Sequence, residues 1–239
     1  MSKSDSSSHD GDQQTSETKE YKVLTQVEHV LVRPDMYIGS LEPEPISRYV
    51  TISDNKIIEV NATCSKGFLK IVDEVVSNAQ DYAATDPSVS SISLNVNQET
   101  GWIKVVNNGQ HTVSTKPFGN GMSIAETVYG VLLSGSNFND EQKRTWLGKN
   151  GIGVKLTNIY SKEFIVKLGD PETKQTHEIK WINNMNTKNA SIIKSYNKKK
   201  AFTEVNCLPD YEKFKMTLPL SYEISMLLKG RMQDLAITT

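Results

Sequence analysis

The spacing of apolar and polar residues divides this chain into helical and extended segments. Residues 66–85 carry apolar side chains at intervals that fit one face of a helix. Residues 92–96 alternate as a half-buried strand does, and 102–106 return after a turn. Weaker patterns predict helices at 23–31, 123–132, 154–161 and 221–235, and extended segments at 50–53, 56–60, 164–168, 176–182, 190–193 and 202–206. We therefore expect an α+β fold: a two-layer α/β sandwich whose mixed, mostly antiparallel sheet has helices on one face.

The predicted helix 66–85 also has a polar face. Glu74, Asn78 and Asp81 follow one another at i, i+4 and i+7, so their side chains point the same way. A carboxylate at this spacing can orient and deprotonate a water molecule, and an amide oxygen can bind Mg²⁺. The alternative is an ordinary solvated stripe on an amphipathic helix.

A glycine-rich run precedes another predicted helix. Backbone N–H groups in such a loop can approach an anion closely, and the start of the helix adds partial positive charge. The run comprises Gly148, Lys149, Asn150, Gly151, Ile152, Gly153, Val154 and Lys155. It is a candidate phosphate-binding loop, with Lys155 supplying a full charge, although a surface loop with incidental glycines has the same composition.

Two further polar motifs follow predicted elements. Asn107 and Asn108 precede Gly109 at the end of a predicted strand, where an amide can meet a base edge or simply form a turn. The short run 134–137, which contains Gly135, Ser136 and Asn137, follows an apolar segment. It can contact a sugar or a phosphate, or it can cap a helix.

Taken in order, these motifs resemble the GHKL ATPase superfamily. Within that superfamily the chain is similar to the N-terminal ATPase domain of type IIA DNA topoisomerases of the eukaryotic kind. The similarity runs from about residue 21 to the end of the chain. It includes the segments 26–31, 33–40, 70–79, 107–109, 158–161 and 213–216. The resemblance implies the Bergerat fold.

The resemblance also implies roles for single residues. Glu74 matches the general base that activates the attacking water, Asn78 matches the Mg²⁺ ligand, and Asn108 matches the residue that reads the adenine edge. Tyr37 lies in the arm that can reach the nucleotide of a partner subunit. The remaining matches are residues that would contact ribose and phosphates (Gly135, Ser136 and Asn137) and the loop that would wrap the triphosphate (148–155).

The function implied is that of an ATP-dependent gate. Such a domain binds ATP with Mg²⁺, dimerises with a second copy, hydrolyses ATP and couples the cycle to passage of a DNA duplex. We expect a disordered polar tail at 1–20 and an ATPase domain at 21–239, whose first part, 21–45, is the arm. The transducer, TOPRIM and DNA-cleavage domains would lie outside this chain, so the chain alone would not cleave DNA.

Several positions depart from the family pattern. His111 replaces a glycine near the expected base pocket, where a positive φ would strain any other residue. Leu147, Lys149 and Ile152 replace the family's glycine, arginine and tyrosine, and Gly135 lacks a hydroxyl. These changes leave open a divergent nucleotide-binding or dimerisation module with little ATPase activity. Another GHKL class is also possible, although the segment 33–40 argues against chaperones, mismatch-repair ATPases and histidine kinases.

The composition indicates the compartment of the protein and argues against some of its possible partners. A net charge of −1 argues against this domain being the main DNA-gripping surface. Two widely separated cysteines, Cys64 and Cys207, suggest free thiols in a reducing compartment. No apolar stretch is long enough for a membrane span. We expect an intracellular protein without membrane contact, nuclear in a eukaryote or in the host cell if viral.

Overall fold

The computed structural model describes residues 23–53, 56–118, 121–134 and 151–238. Its helices are α1 (Gln26–Val32), α2 (Lys66–Thr85), α3 (Ile124–Gly130), α4 (Gly153–Ile159) and α5 (Tyr222–Thr238), with a short 3₁₀ turn at Pro34–Met36. Its strands are β1 (Pro43–Thr51), β2 (Ile57–Ser65), β3 (Ile92–Val96), β4 (Ile103–Gly109), β5 (Ser161–Asp170), β6 (Gln175–Ile182), β7 (Thr187–Lys188), β8 (Ile192–Ser195) and β9 (Ala201–Pro209).

Seven strands form the main sheet, in the order β3-β4-β9-β5-β6-β7, with β8 also paired to β6. Every described pairing in this sheet is antiparallel. The strand β9, late in the sequence, lies between β4 and β5 and so joins the two halves of the sheet. Strands β1 and β2 form a separate hairpin.

The core lies between one face of the main sheet and the helices. Strands β4, β5, β6 and β9 each alternate between buried and partly exposed positions, as one covered face requires. Phe68, Ile71 and Val76 of α2 are fully buried in this core. At the far end of the sheet Trp181 of β6 lies so close to Gly130 of α3 that a Cβ there would be 2.6 Å from its ring.

The other face of the main sheet is polar. Cross-strand ion pairs join Lys104 to Glu204 at 3.7 Å and Lys167 to Glu178 at 4.0 Å. Charges of alternating sign stand on neighbouring strands, which suits a solvated surface. The fold is therefore α+β with helices on one face, as the sequence predicts.

The strongest sequence patterns gave the most accurate elements. The predicted helix 66–85 and strand 92–96 coincide with α2 and β3. Strands β4, β5 and β9 are two to five residues longer than predicted, because pairing with neighbours extends them past their apolar centres. The two-residue strand β7 was missed, since its residues are exposed and carry no alternation. Within the described residues, no helix is long and apolar enough to cross a membrane.

Candidate functional site

Three elements bring the predicted site residues together: the middle of α2, the start of α4 and the end of β4. Ser65 caps α2 by accepting a hydrogen bond from the Phe68 N–H. The buried side of α2 then packs on α4 and the sheet, and Glu74 and Asn78 lie beside this buried stripe, where Glu74 reaches the first residue of α4. The polar face expected from the sequence therefore borders α4.

Glu74 lies directly against the first residue of α4. A Cβ added at Gly153 would be 1.9 Å from Glu74 Oε2, so no other residue fits at position 153 without displacing the carboxylate. Glu74 is also ion-paired with Lys70, one turn earlier on α2. Gly153 is therefore needed because the Glu74 carboxylate lies where a side chain would be. Gly151 is needed for a different reason, because its φ of +59° suits glycine.

Lys155 is a buried cation. Its side chain is 1% exposed, and its ammonium group donates hydrogen bonds to the main-chain carbonyls of Ser134 and Gly151. None of the ion pairs among the described residues involves it. Burial lowers the pKa of Lys155 to about 8. A charge without a described counter-ion, beside a glycine-rich loop, is an arrangement that favours an anionic ligand.

Hydrogen bonds from its buried residues fix α4 in place. Thr157 donates to the carbonyl of Ile71 in α2 at 2.7 Å, and Asn158 donates to the carbonyl of Tyr129 in α3 at 3.1 Å. The Tyr160 hydroxyl donates to the carbonyl of Val30 in α1 at 2.8 Å. Because α4 is tied to three helices, Lys155 is held in one position.

Asn78 is exposed one turn after Glu74. Its side chain makes a hydrogen bond to the hydroxyl of Tyr129, which opposes in part the rise in the pKa of Tyr129 caused by burial. Asp81 is partly exposed one turn further on. The described residues contain no cluster of three or more His, Cys, Asp and Glu side chains that could hold a metal ion.

The structure places the Asn108 side chain on the face of β4 that is opposite the helices. Strand β4 continues through Gly109, so the two asparagines lie within the strand and point to opposite faces. The Asn108 amide oxygen accepts from the N–H groups of Ser90 and Ser91 at 2.9 and 3.1 Å, and its NH₂ donates to Ser90 Oγ at 2.9 Å. Asn108 therefore anchors the 90–91 segment that leads into β3, away from the helices.

Asn107 is the asparagine that faces the helix layer. It is 5% exposed, and its NH₂ makes one long hydrogen bond, of 3.4 Å, to the carbonyl of Asn108. Directly across from it on β9 is Thr203, which is 9% exposed and points to the same face. Together they form a polar spot on an otherwise apolar surface. Strict alternation along the strand was the signal that could have identified Asn107.

Asp86 is a second residue that sequence reasoning missed. It follows α2 and accepts hydrogen bonds from Ser88 Oγ at 2.6 Å, Ser88 N at 2.9 Å and Gln110 N at 3.0 Å. These bonds, the Ser88 hydroxyl above all, hold the pKa of Asp86 well below its usual range despite burial. The carboxylate therefore ties the end of α2 to the end of β4.

His111 does not carry the strain that its replacement of a glycine suggested. It is absent from the described residues that adopt a positive φ. Its N–H donates to Asp86 at 3.4 Å, and its carbonyl accepts from the Tyr82 hydroxyl. Two side chains of the α2 end therefore hold this loop, so no glycine is needed there.

Other predicted residues are farther from this group or outside the described chain. Tyr37 is partly buried, and its hydroxyl is 2.9 Å from Nδ1 of His29 within the arm. Ile152 and Val154 flank Gly153 at the start of α4. The remaining predicted ligands lie outside the described residues: Gly135, Ser136, Asn137, Gly148, Lys149 and Asn150.

Comparison with known proteins agrees with the sequence motifs. DNA topoisomerase 2 of Saccharomyces cerevisiae is 35% identical over 221 residues, which are 92% of this chain and 15% of the relative. The Pisum sativum enzyme is 35% identical over 216 residues, 90% of this chain and 15% of the relative. The chain thus spans about 15% of the length of these curated relatives. No protein-family model matches the sequence.

Solved structures give the same answer for the fold. The ATPase region of Saccharomyces cerevisiae topoisomerase II superposes with a TM-score of 0.85 at 35% identity, covering 90% of this chain and 57% of that one. The ATPase and transducer domains of Balamuthia mandrillaris DNA topoisomerase II give 0.84 at 32% identity, covering 90% and 56%. By sequence and by fold, this chain belongs with the N-terminal ATPase domains of DNA topoisomerase II.

Proposed function

We propose that this chain binds and hydrolyses ATP as the nucleotide-binding domain of a type II DNA topoisomerase. The observation that carries the proposal is the buried Lys155 ammonium group, which has no described counter-ion, on the helix whose first residue touches Glu74. A polyphosphate supplies the missing negative charge. The comparisons support the same reading, because the yeast structure is described as an ATPase region.

The chemistry assigned to α2 and α4 is hydrolysis of the terminal phosphate. Glu74 orients a water molecule and takes its proton, and the contact with Gly153 fixes its carboxylate. Lys155 and the N–H groups at the start of α4 stabilise charge on the phosphates. Asn78 would hold Mg²⁺, which when bound neutralises phosphate charge. A single amide ligand suits that ion, because Mg²⁺ keeps several waters and phosphate oxygens as its other ligands.

Adenine recognition is assigned to the end of β4. Asn107 can donate and accept hydrogen bonds at once, and Thr203 opposite it adds a hydroxyl. Asp86 positions this strand end without touching the ligand. Asp81 stays a predicted ligand because it continues the polar face of α2. The sequence motifs and the family resemblance predict the other ligands: Gly135, Ser136, Asn137, Gly148, Lys149 and Asn150.

The whole enzyme's activity is a wider proposal. In it, ATP binding brings two copies of this domain together, Tyr37 of the arm approaches the partner's nucleotide, and the closed dimer surrounds double-stranded DNA. In this proposal residues 1–20 are a polar tail, residues 21–239 are the ATPase domain and residues 21–45 are its arm. Cleavage of DNA strands belongs to other domains. An intracellular setting is supported by Cys64 and Cys207, which are both free and buried.

The test separates binding from turnover. Calorimetric titration with Mg²⁺ and a non-hydrolysable ATP analogue is expected to give one site in the wild type. In single-turnover assays with protein in excess, Glu74→Gln is expected to abolish hydrolysis while keeping the site. A matched control, Glu163→Gln, makes the same charge change on the uncovered face of the sheet and should hydrolyse ATP normally.

Two results would overturn the proposal. A folded wild type that binds no analogue would leave only a dimerisation module of the same fold. Binding with hydrolysis that Glu74→Gln does not impair would remove Glu74 from the role of base.

A further inference from the structure

A cavity of about 290 Å³ lies between α2 and α5. It is open to solvent and lined by residues of α2 and α5, with β1 and β3 at its sides. Its apolar wall is formed by Leu69, Val72, Val76, Leu94, Leu227 and Leu228. A volume of this size is at the lower limit of ligand pockets, which suits a molecule of one or two rings.

Three cations stand around this apolar wall: Arg48, Lys70 and Arg231. The one acid among the lining residues is Asp73, which is paired with Arg231. Arg48 and Lys70 are paired with acids that are not part of the lining. Each of the three cations is already ion-paired, so an anion in the cavity would share Arg48 with Asp234 or Lys70 with Glu74.

Arg48 is seated by a glycine in the middle of α5. A Cβ added at Gly230 would be 2.6 Å from Nε of Arg48, so the absence of a side chain allows the guanidinium group to cross the helix. Glycine is a poor helix former, and its presence here serves that crossing. The guanidinium group gives one Nη to Asp234, which leaves other N–H groups available, and the side chain is 30% exposed.

We propose that this cavity is a second ligand site, which binds a small amphipathic monoanion. The ligand class is a carboxylate or sulfonate on an apolar body of one or two rings. The apolar body would replace solvent against the leucines and valines, and the anionic group would accept hydrogen bonds from Arg48 and Lys70. This inference does not depend on nucleotide binding.

Lys70 belongs to both sites, because its ammonium group is ion-paired with Glu74. An anion in the cavity competes with Glu74 for that cation. Removing the charge of Glu74 should therefore release Lys70 and tighten binding in the cavity. This linkage can be measured without nucleotide.

The experiment uses 2-naphthoate as the probe and its neutral analogue 2-naphthalenemethanol as the matched ligand. Calorimetry on the full chain, with methyl NMR of Leu94 and Leu228, gives affinity and location. We expect naphthoate to bind about tenfold more tightly than the alcohol, and Arg48→Gln to remove that difference. Lys229→Gln changes an exposed lysine of α5 that does not line this cavity, and it should leave the difference unchanged. Glu74→Gln should tighten naphthoate binding about two- to fivefold.

Equal affinity for the two ligands would overturn the anion site, as would binding that shifts no methyl group of the cavity. If Arg48→Gln does not fold, the comparison of the two ligands on the wild type decides alone. An unchanged affinity in Glu74→Gln would overturn the sharing of Lys70.

Discussion

Two buried charges in this domain have opposite surroundings. Glu126 in α3 accepts hydrogen bonds from the Ser123 N–H at 2.7 Å and from Ser191 at 2.8 Å, and it is ion-paired with Lys188. Burial alone would raise the pKa of Glu126, but these partners lower it to about 2. Lys155 in α4 has two carbonyl acceptors and a pKa lowered by burial to about 8.

The difference separates a structural charge from a ligand-binding one. A buried charge with all of its partners stabilises the fold in its ionised form, whereas one without a counter-ion costs stability until a ligand arrives. The adjacent asparagines of β4 repeat the contrast. Asn108 makes three hydrogen bonds to Ser90 and Ser91, and Asn107 faces the helix layer with one long hydrogen bond.

The largest expected effect is on nucleotide affinity. Lys155→Met should weaken binding of a non-hydrolysable ATP analogue by about 2–4 kcal/mol, because a desolvated charged hydrogen bond to phosphate is lost. Lys188→Met removes the same charge beside Glu126 and should leave the affinity unchanged. Calorimetry on both variants measures the affinity for the analogue. Equal losses of affinity in Lys155→Met and Lys188→Met would contradict the distinction between the two charges.

The free energy of unfolding should depend on Glu126 and not on Lys155. Glu126→Leu should lower the free energy of unfolding by about 2 kcal/mol, since the α3 capping box and the bonds to Ser191 and Lys188 disappear. Lys155→Met should leave it unchanged or raise it, because a buried charge is removed. Urea denaturation decides between them. A Lys155→Met protein less stable than Glu126→Leu would contradict the distinction.

The two asparagines should show the same contrast, with Asn107 affecting nucleotide binding and Asn108 affecting stability. Asn107→Ala should weaken binding of the ATP analogue by about 1–2 kcal/mol. It should also reduce the preference of the protein for the ATP analogue over the corresponding GTP analogue. Asn108→Ala should leave binding unchanged and lower the free energy of unfolding by about 1 kcal/mol through the loss of the hydrogen bonds to Ser90 and Ser91. The reverse result would restore Asn108 as the base-reading residue.

The smallest expected effect is on the pH dependence of stability, to which Glu126 and Lys155 contribute in different pH ranges. For Glu126 the folded pKa is below its usual 4.5, so its contribution is present above that value and is lost as the pH falls towards 2. For Lys155 the folded pKa is below 10.5, so the unfolded chain binds more protons between about 8 and 10.5 and stability rises with pH there. Glu126→Gln should flatten the acid arm of the curve, and Lys155→Met the alkaline arm.

How much the sequence predicts depends on how regular each pattern is. The helix α2 was predicted in full, because its 20 residues repeat the helical period several times and bring Glu74 and Asn78 to one side. The faces of Asn107 and Asn108 depended on where β4 ends, and strand ends are set by pairing with β9 rather than by local composition. One residue of strand register decides which asparagine meets the helices.

Other features could not be predicted from local sequence at all. Asp86, followed by Pro87 and Ser88, has the composition of a turn, and its role with Gln110 arises only when β4 folds beside α2. Lys155 has the composition of an exposed helix position, yet all residues from Val154 to Ile159 are buried because α4 packs among three other helices. Burial of a whole short helix is a tertiary property.

The most direct test of the account is the proton balance of nucleotide binding at pH 8. Calorimetry in buffers of different ionisation enthalpy measures the protons taken up when the Mg²⁺–ATP analogue binds. A Lys155 pKa of about 8 in the free protein predicts uptake of about half a proton by the wild type, and none by Lys155→Met. Binding without proton uptake by the wild type, or with the same uptake by Lys155→Met, would contradict the claim that Lys155 is the buried charge that receives the phosphates.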